Sequence, residues 1–452
     1  MPNAESLADR SPQSTGFREP KPNAFLMWLL GYVNQWFLLQ GLPGLRRLPL
    51  IREIPLIGGH FRIRAIDFPP TDRERLRSAV NESTAAFLGP NHPEFGLDWM
   101  MDKEISRLMA PRMASWASHG IVATAPGFWT SNNLVANNGG EAARQYSIAC
   151  AKRGHGVLLH PEGSVHWTAD KIQPLFHGIA EMAADAAREL HTSGAARPVF
   201  IAPIVWKYRY TRDVSVNIHR EMTTIEREMA LDTGHGLSVA ERFHLLQHNL
   251  LCRQMMEFGF DDPSGLDFFS RQHAFRLHLV DDLASRYVIE ASDSIERTVE
   301  RLRRSITRER VRADGRVAAE LERDLAKAEE ASRLGGFSRD VYETPMLSQE
   351  QIFESLKRIR ASLLRRGTAN VLHNYLPTPY GPRVAHVRVP EPIAIDPHRA
   401  CADAAERRAY VGWLIEETRS RMQHALDEIN GEIADAVAAL SHSNPFFAQS
   451  AD

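Results

Sequence analysis

The sequence predicts an α/β fold, a mainly parallel sheet flanked by helices and interrupted by a large all-helical insertion. Three observations predict it. Between residues 71 and 210, short apolar runs at 85–88, 120–124, 157–159 and 199–205 alternate with segments of helical period, as parallel strands joined by crossover helices do. From about 211 to 380 the pattern turns almost wholly helical. Strand texture then returns in Val384-Ala-His-Val-Arg-Val389, alternating as a half-buried strand does. The implied organisation is a disordered tail (1–24), an apolar segment (25–70), an α/β core (71–210), the insertion (211–380), and a last core strand with closing helices (381–452). A chain of 452 residues is long enough to bury such a core.

Residues 1–22 are polar and broken by proline, which argues disorder, and they lack the parts of a signal peptide. Residues 25–39, FLMWLLGYVNQWFLL, are strongly apolar and carry Trp28, Tyr32 and Trp36. Fifteen residues are too few to span a bilayer, which takes about 20. With Arg46, Arg47 and Arg52 following, they suit an N-terminal membrane-interface helix, and the apolar loop 48–68 continues that surface. A core helix or an oligomer contact is the competing reading. The oligomeric state stays open.

Thr71-Asp-Arg-Glu74 is a capping-box signature for a helix to about Asn81. Residues 98–116 read as helix, 120–124 as strand, 141–152 as helix, 157–159 as strand, 169–190 as helix and 199–205 as strand. Residues 132–140, with four Asn and two Gly, read as a loop whose side chains, Asn132 and Asn133 first, suit hydrogen bonding to a ligand. In the insertion, Ser238-x-x-Glu241 caps a helix running through Phe243, Leu246, Leu250 and Met255. Ile295, Val299, Leu302 and Ile306, a turn at Asp314-Gly315, then Val317, Leu321 and Leu325 describe an antiparallel helical hairpin with charged outer faces. Residues 402–439 close the chain with Tyr410, Trp413, Leu414, Met422, Leu426 and Ile429 inward.

Composition excludes several classes. A formal net charge of −2 argues against a nucleic-acid partner. Cys150, Cys252 and Cys401 are too few and too scattered for a disulfide framework and fit a reducing, cytoplasmic compartment. No zinc-ligand spacing, dinucleotide loop, phosphate loop or Gly-x-Ser-x-Gly elbow occurs, so neither a metal nor a bound cofactor is expected.

The chemistry-bearing residues sit where apolar runs end. The run 85–88 leads into Asn91-His92, Pro93 keeps the histidine out of a helix, and Asp98 follows. A histidine with a carboxylate on one ring nitrogen is a general base with an orienter. The run 157–159 leads into Pro161-Glu162-Gly163-Ser164. Parallel strands bring both turns to one sheet edge, where α/β sheets bind ligands. Glu162 suits either an acceptor's hydroxyls or the support of the His92 loop. Gly163 permits close backbone approach.

The order Asn91-His92-x5-Asp98, Pro161-Glu162-Gly163-Ser164, Ala202-Pro203-Ile204 resembles the glycerolipid acyltransferases, the lysophosphatidate acyltransferase superfamily. Their pattern is N-H-x4-D, then F-P-E-G-T-R, then V-P-[IV]. The resemblance covers about residues 71–206, and Val384 to Ile395 is similar to the family's last strand. Three departures stand out: one extra residue between His92 and Asp98, Val165 in place of an arginine, and no arginine in the middle block 126–133. In the family those arginines hold the acceptor's phosphate, so their absence counts against a phosphorylated acceptor. His166 and Lys152-Arg153 are the nearest replacements.

The resemblance implies a membrane-associated enzyme that moves a fatty acyl chain from an acyl donor thioester, acyl-CoA or acyl carrier protein, to a hydroxyl of a lipid acceptor. His92 is then the base and Asp98 the orienter, with Asp102 as fallback. Asn91, Asn132, Asn133, Glu162, Gly163, Ser164 and His166 are candidate substrate contacts. The departures equally suit a catalytically inactive lipid-binding or membrane-scaffold protein with the same fold. A helical interaction protein built on 211–380 is a third reading, which leaves the His92 and Glu162 turns idle.

Overall fold

The computed structural model describes residues 17–54, 56–110, 112–163, 165, 167–195, 197–232, 234–263, 265–289, 294–310, 315–364, 370, 373 and 376–447. Strands β1 (Ile63–Asp67), β2 (Ala85–Pro90), β3 (Ala114–Ala117), β4 (Leu134–Ala136), β5 (Val157–Leu158), β6 (Val199–Tyr210), β7 (Met346–Leu347), β8 (Arg383–Arg388), β9 (Ile393–Ala394) and β10 (His442–Ser443) are present. The main sheet runs β1-β8-β6-β2-β5-β3-β4, with β9 on β6. Strands β6, β2, β5, β3 and β4 are mutually parallel, while β8 and β9 meet β6 antiparallel. The fold is therefore α/β with a mainly parallel sheet.

Side chains alternate between the two faces of the sheet. Phe87, Val157 and Ile201 pack with helices α6 (Gly140–Lys152), α7 (Gly178–Thr192) and α16 (Ala404–Ala438). Leu88, Leu158, Ile204 and Trp206 pack on the other face with α2 (Pro70–Ala79) and α3 (Leu97–Met109). Pro203 interrupts β6 where the stretch paired with β9 ends and the stretch paired with β8 begins, so its missing N–H leaves no ladder partner orphaned.

Between β6 and β8 lie α8 (Ser215–Met229), α9 (Val239–Glu257), α10 (Phe268–Tyr287), α11 (Ile295–Arg310), α12 (Gly315–Gly336), α13 (Arg339–Tyr342) and α14 (Gln349–Leu363), around their own apolar core. Ser238 and Glu241 form the expected capping box. The hairpin is α11 against α12, with Val299, Leu302, Ile306, Leu321 and Leu325 buried. Val317 is exposed instead, and Asp314 lies outside the described residues.

Several expectations differ from the structure. Residues 17–23 pack on the core: Lys21 and Asn23 donate their N–H groups to the carbonyls of Thr130 and Ser131. The earlier tail lies outside the described residues. Residues 63–67 are a sheet strand, not loop. Pro70 begins α2 one residue early, so Thr71 sits inside the first turn and caps nothing. Residues 114–117 are strand, and 120–124 belong to α4 (His119–Thr124), because Ser118 caps the Ile121 N–H and only Val122 is buried. After α5 (Pro126–Ser131), part of the Asn-rich loop becomes β4. Residues 169–177 stay irregular because their amides are captured from outside: Ala169 by Glu354, Ile172 by Gln423, Gln173 by Glu162 and Phe176 by the Pro161 carbonyl. After α15 (Pro397–Cys401), the closing helix turns Trp413 outward, 45% exposed.

The segment 25–39 forms α1 (Ala24–Val33) and a π-helical turn, Asn34–Leu39. Asn34 faces the protein and donates to the Met100 carbonyl at 2.9 Å. Phe25, Trp28, Leu50 and Leu56 face solvent, between 51% and 87% exposed. Among the described residues, no helix is long and apolar enough to cross a membrane.

Candidate active site

Phe87 pairs with Val157 and Leu88 with Leu158, so β2 and β5 end at the same rim. The turns after them meet there. Nδ1 of His92 lies 2.9 Å from Oδ2 of Asp98, in the first turn of α3. The intervening residues turn at Gly96, φ 80°, a conformation that favours glycine, and the longer spacing still delivers the carboxylate. His92 keeps 17% of its side chain exposed; Asp98 keeps none.

Asp98 is an acceptor for four donors. Oδ2 takes His92 Nδ1 and the Glu94 N–H (2.7 Å); Oδ1 takes Trp206 Nε1 (3.0 Å) and the Tyr208 hydroxyl (2.7 Å). Burial pushes its carboxyl well above the ordinary range, against the pull of His160, the Tyr208 hydroxyl and the Glu94 N–H. Asn91 clamps the same corner, with both ends of its amide on the Trp206 backbone at 2.9 and 3.0 Å. Each polar atom of that side chain thus makes a structural bond that holds the turn.

A second histidine completes the cluster. His160 stacks on His92 with ring centroids 3.9 Å apart and planes 14° apart. Its Nε2 lies 3.0 Å from Asp102 Oδ2, and its Nδ1 2.9 Å from the Asn91 carbonyl. An acceptor on each ring nitrogen calls for a proton on each, which makes an imidazolium. Burial opposes that charge, but Asp102 and Asp98 outweigh it and raise the pKa to about 9. Asp102, the fallback orienter of His92, serves His160 instead.

Glu162 reaches both sides of the rim. Oε1 accepts the His92 N–H at 2.9 Å and Oε2 the Gln173 N–H at 3.4 Å. Burial pushes its pKa up to about 7, against those two N–H groups and His160. Gly163 follows with φ 78°, and a Cβ there would lie 2.4 Å from the Phe176 ring. Its N–H is engaged within the turn, on the His160 carbonyl at 3.1 Å. Ser164 and His166 lie outside the described residues. A cavity of about 310 Å³ opens beside Glu162, walled by residues 173–177 and by α11 and α12.

Other candidates lie elsewhere. Leu88, Leu158, Ser115 and Leu134 stand level across the sheet. Asn132 and Asn133 precede that level on β4, three strand spacings or about 14 Å from β2 and towards the opposite rim. Asn132 donates to Phe128, and Asn133 to the Arg112 carbonyl while accepting from Tyr146, so they hold a corner of the sheet edge. Lys152 and Arg153 precede β5, also at the opposite end, on Glu189 and the Cys150 sulfur.

Sequence reasoning missed five contributors. His160 stands in the same turn as Glu162, and its sequence position carries no sign of the stacking that gives it a role. Trp206 and Tyr208 alternate onto one face of β6, and a longer strand would have pointed to them. The buried Glu94–Arg383 pair anchors the His92 turn to β8 and joins residues 289 apart, which one sequence does not reveal. Comparison with protein-family models and with curated proteins finds no match.

Proposed function

We propose that this protein is an acyl-transferring enzyme that uses His92 as general base. More narrowly, it moves a fatty acyl group from acyl-CoA or acyl carrier protein to the hydroxyl of a lipid such as a lysophospholipid. The observation that carries the reading is the His92–Asp98 bond at the carboxyl-end rim of a parallel sheet. With its proton held on Nδ1 by Asp98, His92 presents Nε2 as the basic nitrogen.

Nε2 takes the hydroxyl proton as the acceptor oxygen attacks the thioester carbonyl. The tetrahedral oxyanion then collapses, the carbon–sulfur bond breaks, and the thiolate leaves with the proton from His92. Asp98 stabilises the transient imidazolium. Glu162 holds the main chain of His92 in register. The thioester is already activated, so no covalent nucleophile is needed.

The exposed apolar surface of residues 25–56, beside Arg46, Arg47 and Arg52, supports peripheral attachment to the cytoplasmic face of a membrane, where lipid acceptors reside. Incubation with labelled palmitoyl-CoA and a panel of lipid hydroxyls tests the reading. His92→Ala should cut transfer about 100- to 10,000-fold while the fold survives. Undiminished turnover refutes it. Lipid binding with no transfer by the unaltered protein would leave the scaffold reading.

A further inference from the structure

The cavity beside Glu162 has a wall that the α/β core does not make. Arg297, Arg301 and Arg304 fall at spacings of four and three along α11, so they share one helix face, and all three line it. Arg276 from α10 lines it too, its Nη1 3.1 Å from Glu296. A Cβ on Gly335 would lie 2.4 Å from the Arg276 guanidinium, so the missing side chain makes its room.

The lining sets four arginines against Glu162, Glu296 and Glu300. Arg276 is matched by Glu296, and Arg304 by Glu300 at 2.9 Å. Arg297 reaches Glu416 at 3.3 Å, on the closing helix outside the cavity. Arg301 makes no ion pair among the described residues. The guanidinium of Arg304 lies over the Phe176 ring, 4.2 Å from its centroid, which ties the arginine face to the apolar wall of Leu175, Phe176 and Val299. The room, about 310 Å³, suits a small-molecule ligand.

We propose that this cavity binds the phosphate-bearing head of an amphiphile, with Arg301 and Arg304 on the anion and Phe176, Leu175 and Val299 on the adjoining carbons. That the ligand is a substrate rests on the acyl-transfer reading; its binding does not.

Calorimetric titration of the full chain tests this with coenzyme A, lysophosphatidate below its micelle concentration, and an uncharged monoacylglycerol. Arg301→Glu and Arg304→Glu should each weaken binding of a phosphate-bearing ligand about tenfold or more, since a charged hydrogen bond is lost and repulsion gained. Arg316→Glu, on the exposed start of α12, is the control and should change nothing. Dependence for coenzyme A alone assigns the phosphate to the donor; dependence for lysophosphatidate alone assigns it to the acceptor. Either supports the site. Binding of neither ligand, or equal binding by both variants and the unaltered protein, overturns it. Transfer activity read alongside separates the claims: arginine-dependent binding without transfer leaves the site and sinks the enzyme, and transfer indifferent to both arginines does the reverse.

Discussion

Asp98→Asn is the sharpest probe of the site, because the geometry fixes what an amide would meet. The carboxylate accepts from four donors, two on each oxygen. An asparagine places an NH2 on one side. Towards His92, that NH2 opposes the Glu94 N–H and donates to Nδ1, which drives the imidazole proton to Nε2 and destroys the base. Towards β6, it opposes the Trp206 N–H, while the Tyr208 hydroxyl rotates to accept. Each arrangement strands one buried donor, the Glu94 N–H or the Trp206 N–H, at about 1–3 kcal/mol, so the variant folds with reduced stability. In the second the tautomer survives, but the negative charge that supports the imidazolium is gone. Either arrangement should lower kcat about 100- to 10,000-fold, equivalent to roughly 3–5 kcal/mol of activation free energy. Free thiol released from acyl-CoA, followed with a thiol-reactive dye, reads the rate, and urea unfolding reads the stability. A folded variant within about threefold of the unaltered rate would show that Asp98 does not orient the base.

His160→Phe tests the stacked imidazolium. The folded pKa near 9 lies above the ordinary 6.5, so its stabilisation is complete below pH 6.5 and is lost as pH rises through 9. The unaltered protein should lose about 3 kcal/mol across that window and the variant should lack this component, measured by urea midpoints at several pH values. Glu94→Gln strands the buried Arg383 and should cost about 3–5 kcal/mol by the same method; a loss under about 1 kcal/mol contradicts the pairing. Trp28→Asp with Leu50→Asp should reduce sedimentation with anionic vesicles and leave the melting temperature unchanged, since both side chains are exposed. Deleting residues 1–44 is a poorer test, because it would uncover the buried Leu39 and Met27 sites on the core. Gly163→Ala should lower the melting temperature, as its φ of 78° and the Phe176 ring both oppose a side chain.

What the sequence made legible follows from where information is local. The His92 and Glu162 turns could be placed together because both end short apolar runs, and parallel pairing does the rest. The hairpin of α11 and α12 was legible from period alone. Residues 120–124 misled because a β-branched run is also compatible with a short helix once Ser118 caps it. Residues 169–177 misled because a single sequence does not show that Glu354 and Gln423 capture their amides from far along the chain. The same limit hid the donors to Asp98. His160 was different: its position was visible, but its value came from stacking, which only packing reveals.

Strand β6 serves two clients. Trp206 and Tyr208 brace Asp98, and two residues on, the Tyr210 N–H bonds to Glu350 of α14 at 2.6 Å. The helices are thus bolted to the same rail that steadies the His92–Asp98 pair. An attempt to engineer a shortened version by splicing Thr211 directly to Pro382 would remove the Glu350 bond and leave that end of the rail to its pairing with β8. The trimmed protein would give up one bolt along with its extra mass, and grafting this insertion onto another scaffold would need the strand to travel with it.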